Sequence, residues 1–406
     1  MQDKILNFKR IIENNSWIYL LVIIGIALGI YAQSVKFDFI YFDENEILLQ
    51  NKSFFTNDFS LKKFFTTDAF LHYESAYYRP LQNLSFAIDA LMANGIIFWV
   101  FHLTNVILFI LTGISLYFLL QKFKISPHFA FLGALLFIVN PLNVWSVVWV
   151  PARGDLLLTL FTLLSFICFI NFLKNKSFFT LFLTFLCFSL ALFSKETAAF
   201  IPFLFLVYYW VKKRFFIFNY KFFLLGGLMF GVGIVWFYLR YYAIMHFDSM
   251  ITWKDFMYNL LNIPVALSQM VFPYEMSPFP TFTIPKIVLG TILLLVFSFI
   301  VIKKTETGKG EKMFFLFWFI LLLFPTLFVK GINVDYFEHR YLLPQIGILA
   351  LLIKTIFVPI VNWIRQQSSH HHILSSHFFW GCFGFWYYFV CKGANVEKFI
   401  YCGRCC

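Results

Sequence analysis

Four acidic residues lie close together directly after the first long apolar run of the chain. They are Asp38, Asp43, Glu44 and Glu46, within FDFIYFDENEILLQN at residues 37–51. A carboxylate just beyond an apolar run can meet both a lipid head group and an aqueous acceptor. The alternative interpretation is a group of solvated loop acids, since runs of charge usually lie in water.

Isolated polar residues elsewhere in the chain add cations to this acidic set. Each stands at or near the end of an apolar run, where a charge is costly unless it is paired or hydrated and is a functional candidate by default. Carboxylates and several cations together suit a base and a phosphate leaving group. The candidates are Arg79, Arg153, Asp155, Lys195, Glu196, Glu338, His339 and Arg340.

The composition of the chain places these residues in a membrane protein. Charged residues make up 13% of the 406 positions and hydrophobic residues 61%, with a mean hydropathy of +0.78. A soluble domain carries about a quarter charged residues. The formal charge of +12 does not indicate nucleic-acid binding, because the basic residues form no single face or RNA-binding pattern.

Ten apolar windows predict membrane spans, so we expect an all-α polytopic membrane protein with about 10–11 transmembrane helices. Two stretches of the first long loop, LKKFFTTDAFLH and RPLQNLSFAIDALM, predict amphipathic helices at the interface. The glycine run at 227–233 predicts close helix packing. The windows are 17–35, 96–120, 128–145, 156–173, 178–194, 197–211, 222–245, 285–302, 313–329 and 341–361.

The basic residues predict one orientation in the membrane. Lys4, Lys9 and Arg10 precede the first window, which puts the N-terminus in the cytoplasm, and the later basic clusters agree with the same alternation. Nearly all the unusual polar residues then face outward. The predicted outward segments are 36–95, 141–155, the turn around Lys195, 246–284 and 330–340.

Six motifs, in order, resemble the C-type glycosyltransferase superfamily, the protein O-mannosyltransferases, and in particular their transmembrane and tetratricopeptide-repeat-containing group. The resemblance covers about residues 15–360. It implies a transferase that uses a polyprenyl-phosphate-linked sugar, mannose or another hexose, and a protein or glycan acceptor. The motifs are FDENE, YYRPLQNLSFAIDALMANG, FHLTNVILF, NPLNVWSVVWVPARGDLL, SKETAAFIPFLFLVYYW and HRYLLPQIG.

The resemblance assigns roles to three acids. Asp43 matches the general base of the first outward loop, with Asp38 as the fallback, and Glu44 matches its neighbour in the Asp-Glu pair. Asp155 matches the second acidic position, which orients the acceptor or sugar, or helps to hold a divalent cation with Asp43 in metal-using relatives. The structural alternative for Asp155 is an acid that stabilises a helix N-terminus.

The resemblance also implies that cations hold the departing lipid phosphate, so that attack by the acceptor hydroxyl inverts the sugar. Arg79, Lys195 and Arg340 are the phosphate candidates, because guanidinium and ammonium groups bind phosphate oxygens. Arg153 is a substrate-binding candidate whose alternative is a snorkelling interface cation. His339 is also a substrate-binding candidate, and its alternative role is a hydrogen bond to a neighbouring residue.

The chain departs from the resembling group after about residue 365. We therefore expect a transferase domain at 1–365 and an atypical tail at 366–406, which is either a last span or a truncated or frameshifted end. The CGRC sequence in the tail lacks a second ligand pair at a suitable distance, so no metal-binding residues are predicted.

Two alternatives stay open. A glycolipid or cell-envelope sugar transferase of the same superfamily would differ only in its acceptor. A transporter or lipid flippase would also have apolar spans, but it predicts repeat symmetry and charges near mid-span, whereas the acids here fall in loops. We expect a multi-pass protein of the bacterial inner membrane with a periplasmic site, or of the endoplasmic reticulum membrane with a lumenal site.

Overall fold

The structure is a computed structural model, and its helices form a multi-pass membrane protein. No β-strand occurs in the parts of the chain that it describes, as expected. The described residues are 16–56, 60–71, 75–213, 220–244, 252–277, 282–303, 308–328 and 338–367.

The chain divides into two compact units. The first contains Met1–Val139 and Trp145–Met250, and the second contains Asn140–Val144 and Ile251–Cys406. The tail expected at 366–406 lies outside the described residues except for its first two positions. The division at residue 365 therefore stays a prediction.

The first part of the chain, up to residue 244, consists of eleven described α-helices. Short 3-10 turns at Ala32–Lys36, Val150–Ala152 and Glu196–Phe200 extend three of them. The helices are α1 Ser16–Tyr31, α2 Lys52–Thr56, α3 Leu61–Thr66, α4 Pro80–Met92, α5 Phe98–Lys122, α6 Pro127–Val139, α7 Val144–Val148, α8 Arg153–Asn175, α9 Phe178–Ser194, α10 Ile201–Lys213 and α11 Tyr220–Ala243.

The second part, from residue 252, contains six described α-helices. A 3-10 turn at Glu338–Tyr341 carries three of the candidate residues, Glu338, His339 and Arg340. The helices are α12 Trp253–Asn259, α13 Asn262–Val271, α14 Ile284–Ile302, α15 Lys309–Leu323, α16 Gln345–Leu352 and α17 Val358–Gln367.

Seven helices within the described residues are long and apolar enough to cross a membrane, and the bent pair Pro127–Val139 with Pro141–Val148 makes an eighth if it is one span. They match eight of the ten predicted windows. The other two windows correspond to α9 and α10, which have 17 and 13 residues. At 1.5 Å per residue, α9 is about 26 Å long and falls short of a hydrocarbon core of about 30 Å. The all-α polytopic fold is confirmed.

The first long loop folds around an apolar core of its own. Aromatic and aliphatic side chains from the acidic segment at 37–51, from α2, α3 and α4, and from the start of α5 pack together. Val150 joins them from the turn that leads into α8. The buried members are Phe39, Ile47, Leu48, Phe55, Phe64, Leu71, Phe86, Ala87, Ala90, Val100, Phe101 and Val150.

Helix α4 exposes apolar side chains and buries polar ones. Ile88 and Met92 are 50% and 76% exposed, whereas Gln82, Asn83 and Asp89 are buried. The exposed face of α4 is thus apolar, unlike that of a helix at the surface of a soluble protein, and its buried face combines polar side chains with Phe86, Ala87 and Ala90. It agrees with the predicted amphipathic character of RPLQNLSFAIDALM, and the buried polar side chains make α4 a source of functional groups.

Helices pack closely at glycines outside the run that the sequence predicted. Methyl groups built on the glycines at 226–233 meet no described atom within 4 Å. A methyl group on Gly290 of α14 would lie 1.7 Å from the Pro264 carbonyl oxygen, and one on Gly347 of α16 would lie 2.5 Å from the Phe315 carbonyl oxygen. For the contacts that the structure describes, the prediction for the 227–233 run is therefore wrong.

Candidate functional site

A sharp turn between α9 and α10 brings Lys195 beside the start of α8. Helix α9 ends at Ser194, and Lys195 has the extended backbone angles φ −162° and ψ 144° before the 3-10 turn Glu196–Phe200 begins. Helices α8 and α9 pack along each other. The end of α9 therefore lies beside the beginning of α8, where Asp155 occupies the first turn.

Lys195 and Asp155 form a buried ion pair at this point. The Lys195 Nζ atom donates to Asp155 Oδ2 at 2.6 Å, and the two residues are 5% and 4% exposed. The position of Asp155 in the first turn of α8 also suits a helix N-terminus, where a negative charge is favourable. The functional and the structural interpretations of Asp155 are thus compatible.

Arg79 connects the N-terminus of α4 to the same turn. Its Nε atom lies 3.7 Å from Glu196 Oε2, and the backbone N–H of Tyr78 donates to Glu196 Oε1 at 2.7 Å. The guanidinium also stacks over the Tyr77 ring, 4.5 Å from its centroid. Arg79, Asp155 and Lys195 therefore lie at three helix ends that meet at one turn.

Arg153 lies in a second buried ion pair. Its Nη1 atom contacts Asp89 Oδ2 at 2.6 Å, and its Nε and Nη2 atoms donate to Asn105 Oδ1 and the Phe101 carbonyl, each at 2.8 Å. The whole residue is buried. An arginine with these contacts is not a snorkelling cation, and they favour a role in holding α4, α5 and α8 together. Its binding of substrate stays a prediction.

The four acids of the acidic segment lie in different environments. Asp38 and Glu46 are exposed, Asp43 is half-buried and Glu44 is fully buried. The Asp38 carboxylate accepts hydrogen bonds from the Phe39 backbone N–H at 2.8 Å and the Tyr41 hydroxyl at 3.0 Å. The sequence alone did not indicate which of these acids is buried.

Burial raises the pKa of Glu44 to about 7, because the charged carboxylate loses its hydration. The backbone N–H of Glu44 lowers this pKa by less than burial raises it, and the negative charge of Asp43 raises it by a smaller amount. The Trp149 indole and the Phe42 backbone lower the pKa least. A carboxyl with a pKa near 7 can hold or release a proton at neutral pH.

In the second unit, the turn Glu338–Tyr341 carries a buried carboxyl. Glu338 accepts hydrogen bonds from Gln269 Nε2 at 3.2 Å and from the Ser277 backbone N–H at 3.1 Å, and burial raises its pKa to about 8. His339 is buried and Arg340 is half-buried on the same turn. Substrate binding by His339 and Arg340 stays a prediction.

The divalent cation expected at Asp43 and Asp155 stays a prediction. No group of three or more His, Cys, Asp or Glu side chains within the described residues could hold a metal ion. Asp155 directs Oδ2 at the ammonium of Lys195, so a cation ligated by this atom would have to displace a lysine.

Several residues of this region were not predicted from the sequence. Asp89 and Asn105 are partners of Arg153, and Gln82 lies fully buried in the first turn of α4. Asp89 is the lone acid of the apolar stretch FAIDALM, and that isolation is a signal that could have found it. Nothing in the sequence distinguishes Gln82 from an exposed glutamine.

Comparison with known proteins gives relatives of one kind. The chain is 31% identical to the protein O-mannosyl-transferase TMTC4 of Homo sapiens over 166 residues, which cover 36% of this chain and 22% of that protein. It is 28% identical to the protein O-mannosyl-transferase TMTC2 of Homo sapiens over 170 residues, covering 39% and 19%. The resemblance to protein O-mannosyltransferases is confirmed.

These matches are partial. The chain spans about a fifth of the length of the curated relatives that it matches. No protein-family model matches it. The similarity to the TMTC proteins of the C-type glycosyltransferase superfamily thus covers part of each chain, and what those proteins do comes to this chain as a proposal.

Proposed function

We propose that this chain is a membrane glycosyltransferase that moves mannose or another hexose from a polyprenyl-phosphate carrier to a hydroxyl of a protein Ser or Thr. The single observation that carries the proposal is the buried Lys195–Asp155 pair, joined at one turn by Arg79 and Glu196. The names of the TMTC relatives support a mannosyl donor and a protein acceptor.

Lys195 and Arg79 are the groups that would receive the phosphate. When the bond between the anomeric carbon and the phosphate oxygen breaks, its electron pair leaves with the carrier phosphate, which gains negative charge. Fixed cations stabilise such developing charge most strongly where water is scarce, and Lys195 is nearly fully buried. Asp155 holds the ammonium group in one position.

Asp43 would act as the general base. It takes the proton of the acceptor hydroxyl while the hydroxyl oxygen attacks the anomeric carbon opposite the departing phosphate, which inverts that centre. Asp43 suits this role better than Glu44, because it is half-buried and can reach an acceptor, whereas Glu44 is fully buried. Glu44 would instead gain or lose its own proton depending on the charge of Asp43, because that charge raises the pKa of Glu44.

The acidic segment and the start of α8 share one core, which supports placing the base and the phosphate site in one region. Ile47 and Leu48 pack in the same apolar cluster as Val150. We place this region on the periplasmic or lumenal side of the membrane, following the distribution of basic residues. Arg340 and His339 keep the substrate-binding roles that the sequence predicts for them.

The test is sugar transfer from radiolabelled polyprenyl-phosphate mannose in membranes that carry equal amounts of wild type, Asp43→Asn or Glu46→Gln. We expect Asp43→Asn to lose transfer by about 100-fold or more, the usual contribution of a general base. Glu46→Gln is the matched control, because Glu46 is an exposed acid of the same segment, and it should transfer like the wild type.

Failure of the wild type with mannose and with other polyprenyl-linked sugars would overturn the transferase proposal. Equal transfer by Asp43→Asn and wild type would leave the transferase and remove Asp43 as its base. The labelled product decides the acceptor. Label in protein supports the protein acceptor, and label in a lipid that chromatography separates from the unreacted donor identifies the glycolipid alternative.

A further inference from the structure

Gln82 is a buried amide in the first turn of α4, three residues after Arg79. It is fully buried, and neither its Oε1 nor its Nε2 atom has a hydrogen-bond partner in the described part of the chain. Buried polar groups are nearly always hydrogen-bonded, and an exception needs an explanation.

The Gln82 side chain lies beside the two residues that precede the ion pair. A methyl group built on Gly154 would lie 2.3 Å from Gln82 Oε1 and 3.5 Å from the Ser194 carbonyl oxygen. Gly154 immediately precedes Asp155, and Ser194 immediately precedes Lys195. The amide therefore lies at the point where the start of α8 meets the end of α9.

The chemistry of this amide differs from that of its neighbours. Arg79 and Lys195 only donate hydrogen bonds, which suits phosphate oxygens that only accept. A glutamine amide both donates and accepts, as does a sugar hydroxyl. The neighbourhood thus offers two cations for a phosphate and one uncharged group for a hydroxyl.

Resting on the proposed function, we propose that Gln82 hydrogen-bonds a hydroxyl of the donor sugar and thereby determines which sugar is transferred. The absence of a side chain at Gly154 leaves the space that the amide occupies. A site built to hydrogen-bond a substrate hydroxyl discriminates strongly against an analogue that lacks it, because the buried amide is then left unpaired.

The experiment compares wild type, Gln82→Met and Gly154→Ala with a panel of polyprenyl-phosphate mannose donors, each lacking one sugar hydroxyl. Methionine fills similar space without polar groups. Alanine at 154 displaces the far end of the Gln82 side chain and meets nothing else closer than 3.5 Å, so this variant should fold. Transfer kinetics and the thermal unfolding midpoint are measured for each protein.

We expect the wild type to use one deoxy donor with a kcat/KM about 10- to 100-fold below that of the parent sugar, the effect of one lost hydrogen bond. In both variants the ratio of kcat/KM for the parent sugar to kcat/KM for this deoxy donor should fall towards one. It should fall mainly because kcat/KM for the parent sugar decreases. Gln82→Met should keep or raise the unfolding midpoint, because it removes an unpaired buried amide.

Asn83→Leu is the matched control. Asn83 is the adjacent buried amide of α4, but its Nδ2 atom donates to the Ala69 carbonyl at 3.1 Å. Its loss should lower the unfolding midpoint and leave the discrimination between donors unchanged. Gln82→Met should thus change the discrimination between donors but not lower the unfolding midpoint, and Asn83→Leu should do the reverse. This difference separates a role in substrate recognition from a role in folding.

Two outcomes would overturn the proposal, and they differ. If the wild type transfers mannose and both Gln82→Met and Gly154→Ala keep its discrimination at every hydroxyl, Gln82 does not recognise the sugar, and the transferase stands. If the wild type transfers no polyprenyl-linked sugar, the proposed function fails and the role of Gln82 fails with it.

Discussion

Buried carboxyl groups in two regions of the molecule differ in whether a cation lies beside them. One region is the start of α8 with its ion pairs, and the other is the acidic segment with Glu44. Asp155 and Asp89 each have a cation at 2.6 Å, Lys195 and Arg153 respectively. Glu44 has no cation partner among the described ion pairs, and burial raises its pKa to about 7. Paired carboxylates favour the charged form, whereas burial without a cation favours the neutral one.

The contrast indicates which groups hold charge and which hold a proton. The two ion pairs fix charges in space, which suits a phosphate site for Lys195 and a structural role for Arg153. Glu44 can instead change its protonation near neutral pH.

The largest effect expected is on folding, from Arg153→Met. The substitution leaves Asp89 buried without its cation, and breaking a buried pair in this way costs about 3–5 kcal/mol of the free energy of unfolding. The measurement is the thermal unfolding midpoint of the purified protein in detergent. Adding Asp89→Asn to Arg153→Met should recover much of the loss, because no uncompensated charge then remains.

Lys354→Met gives the control for this prediction. Lys354 pairs with Glu311, but both side chains are partly exposed, and such a pair contributes about 0–1 kcal/mol. An Arg153→Met protein that unfolds at the wild-type midpoint would show that this ion pair does not support the fold.

A second prediction separates the two ion pairs from each other. Lys195→Met should destabilise the protein by a similar or smaller amount than Arg153→Met, since both partners retain slight exposure. Adding Asp155→Asn should restore stability but not transfer, because the phosphate still lacks its cation. Stability and transfer are measured on the same preparations.

The Arg153→Met/Asp89→Asn protein is the comparison for this result. If Arg153 is structural, that double variant should recover transfer along with stability. Recovery of transfer by Lys195→Met/Asp155→Asn would instead remove Lys195 from the phosphate site.

The smallest expected effect is a pH dependence of stability from Glu44. Its pKa rises from 4.5 in the unfolded chain to about 7 in the folded protein, so the folded state holds the proton over this range. Stability from this group is therefore lost as the pH rises from about 4.5 to about 7. The difference amounts to at most about 3.5 kcal/mol, since one pKa unit corresponds to about 1.4 kcal/mol.

Glu44→Gln tests this dependence without changing the size of the side chain. Relative to wild type, the variant should gain stability as the pH rises from 4.5 to 7, and unfolding is measured in denaturant at several pH values. Glu338→Gln is the matched variant in the second unit, where the same gain should extend to about pH 8. A difference between Glu44→Gln and wild type that does not vary with pH would mean that Glu44 does not hold a proton.

Much of the fold could be predicted because it depends on length and hydrophobicity. Each of the ten apolar windows corresponds to a helix or to the bent pair, since a chain in lipid must satisfy its backbone hydrogen bonds within the helix. The short lengths of α9 and α10 were missed, because apolar runs do not show where a helix will turn. The close approach at Gly290 was missed because it depends on a carbonyl of another helix.

The candidate site was predictable in part. Lys195 and Asp155 were chosen separately, as charges at the ends of apolar runs, and the structure joins them. Asp89 was missed although it is a lone acid in an apolar stretch, and only the structure pairs it with Arg153. Gln82 could not be chosen in this way, because its importance depends on its burial.

The sequence by itself determined that this is an all-α membrane protein and which charged residues are costly enough to need an explanation. Only the tertiary structure decided how those charges are compensated. Lys195 finds its partner 40 residues away and Arg153 finds Asn105 48 residues away. Hydrophobicity is a property of each residue and can be summed along the chain, whereas ion pairing and the pKa of a buried carboxyl depend on which helix ends the packing brings together.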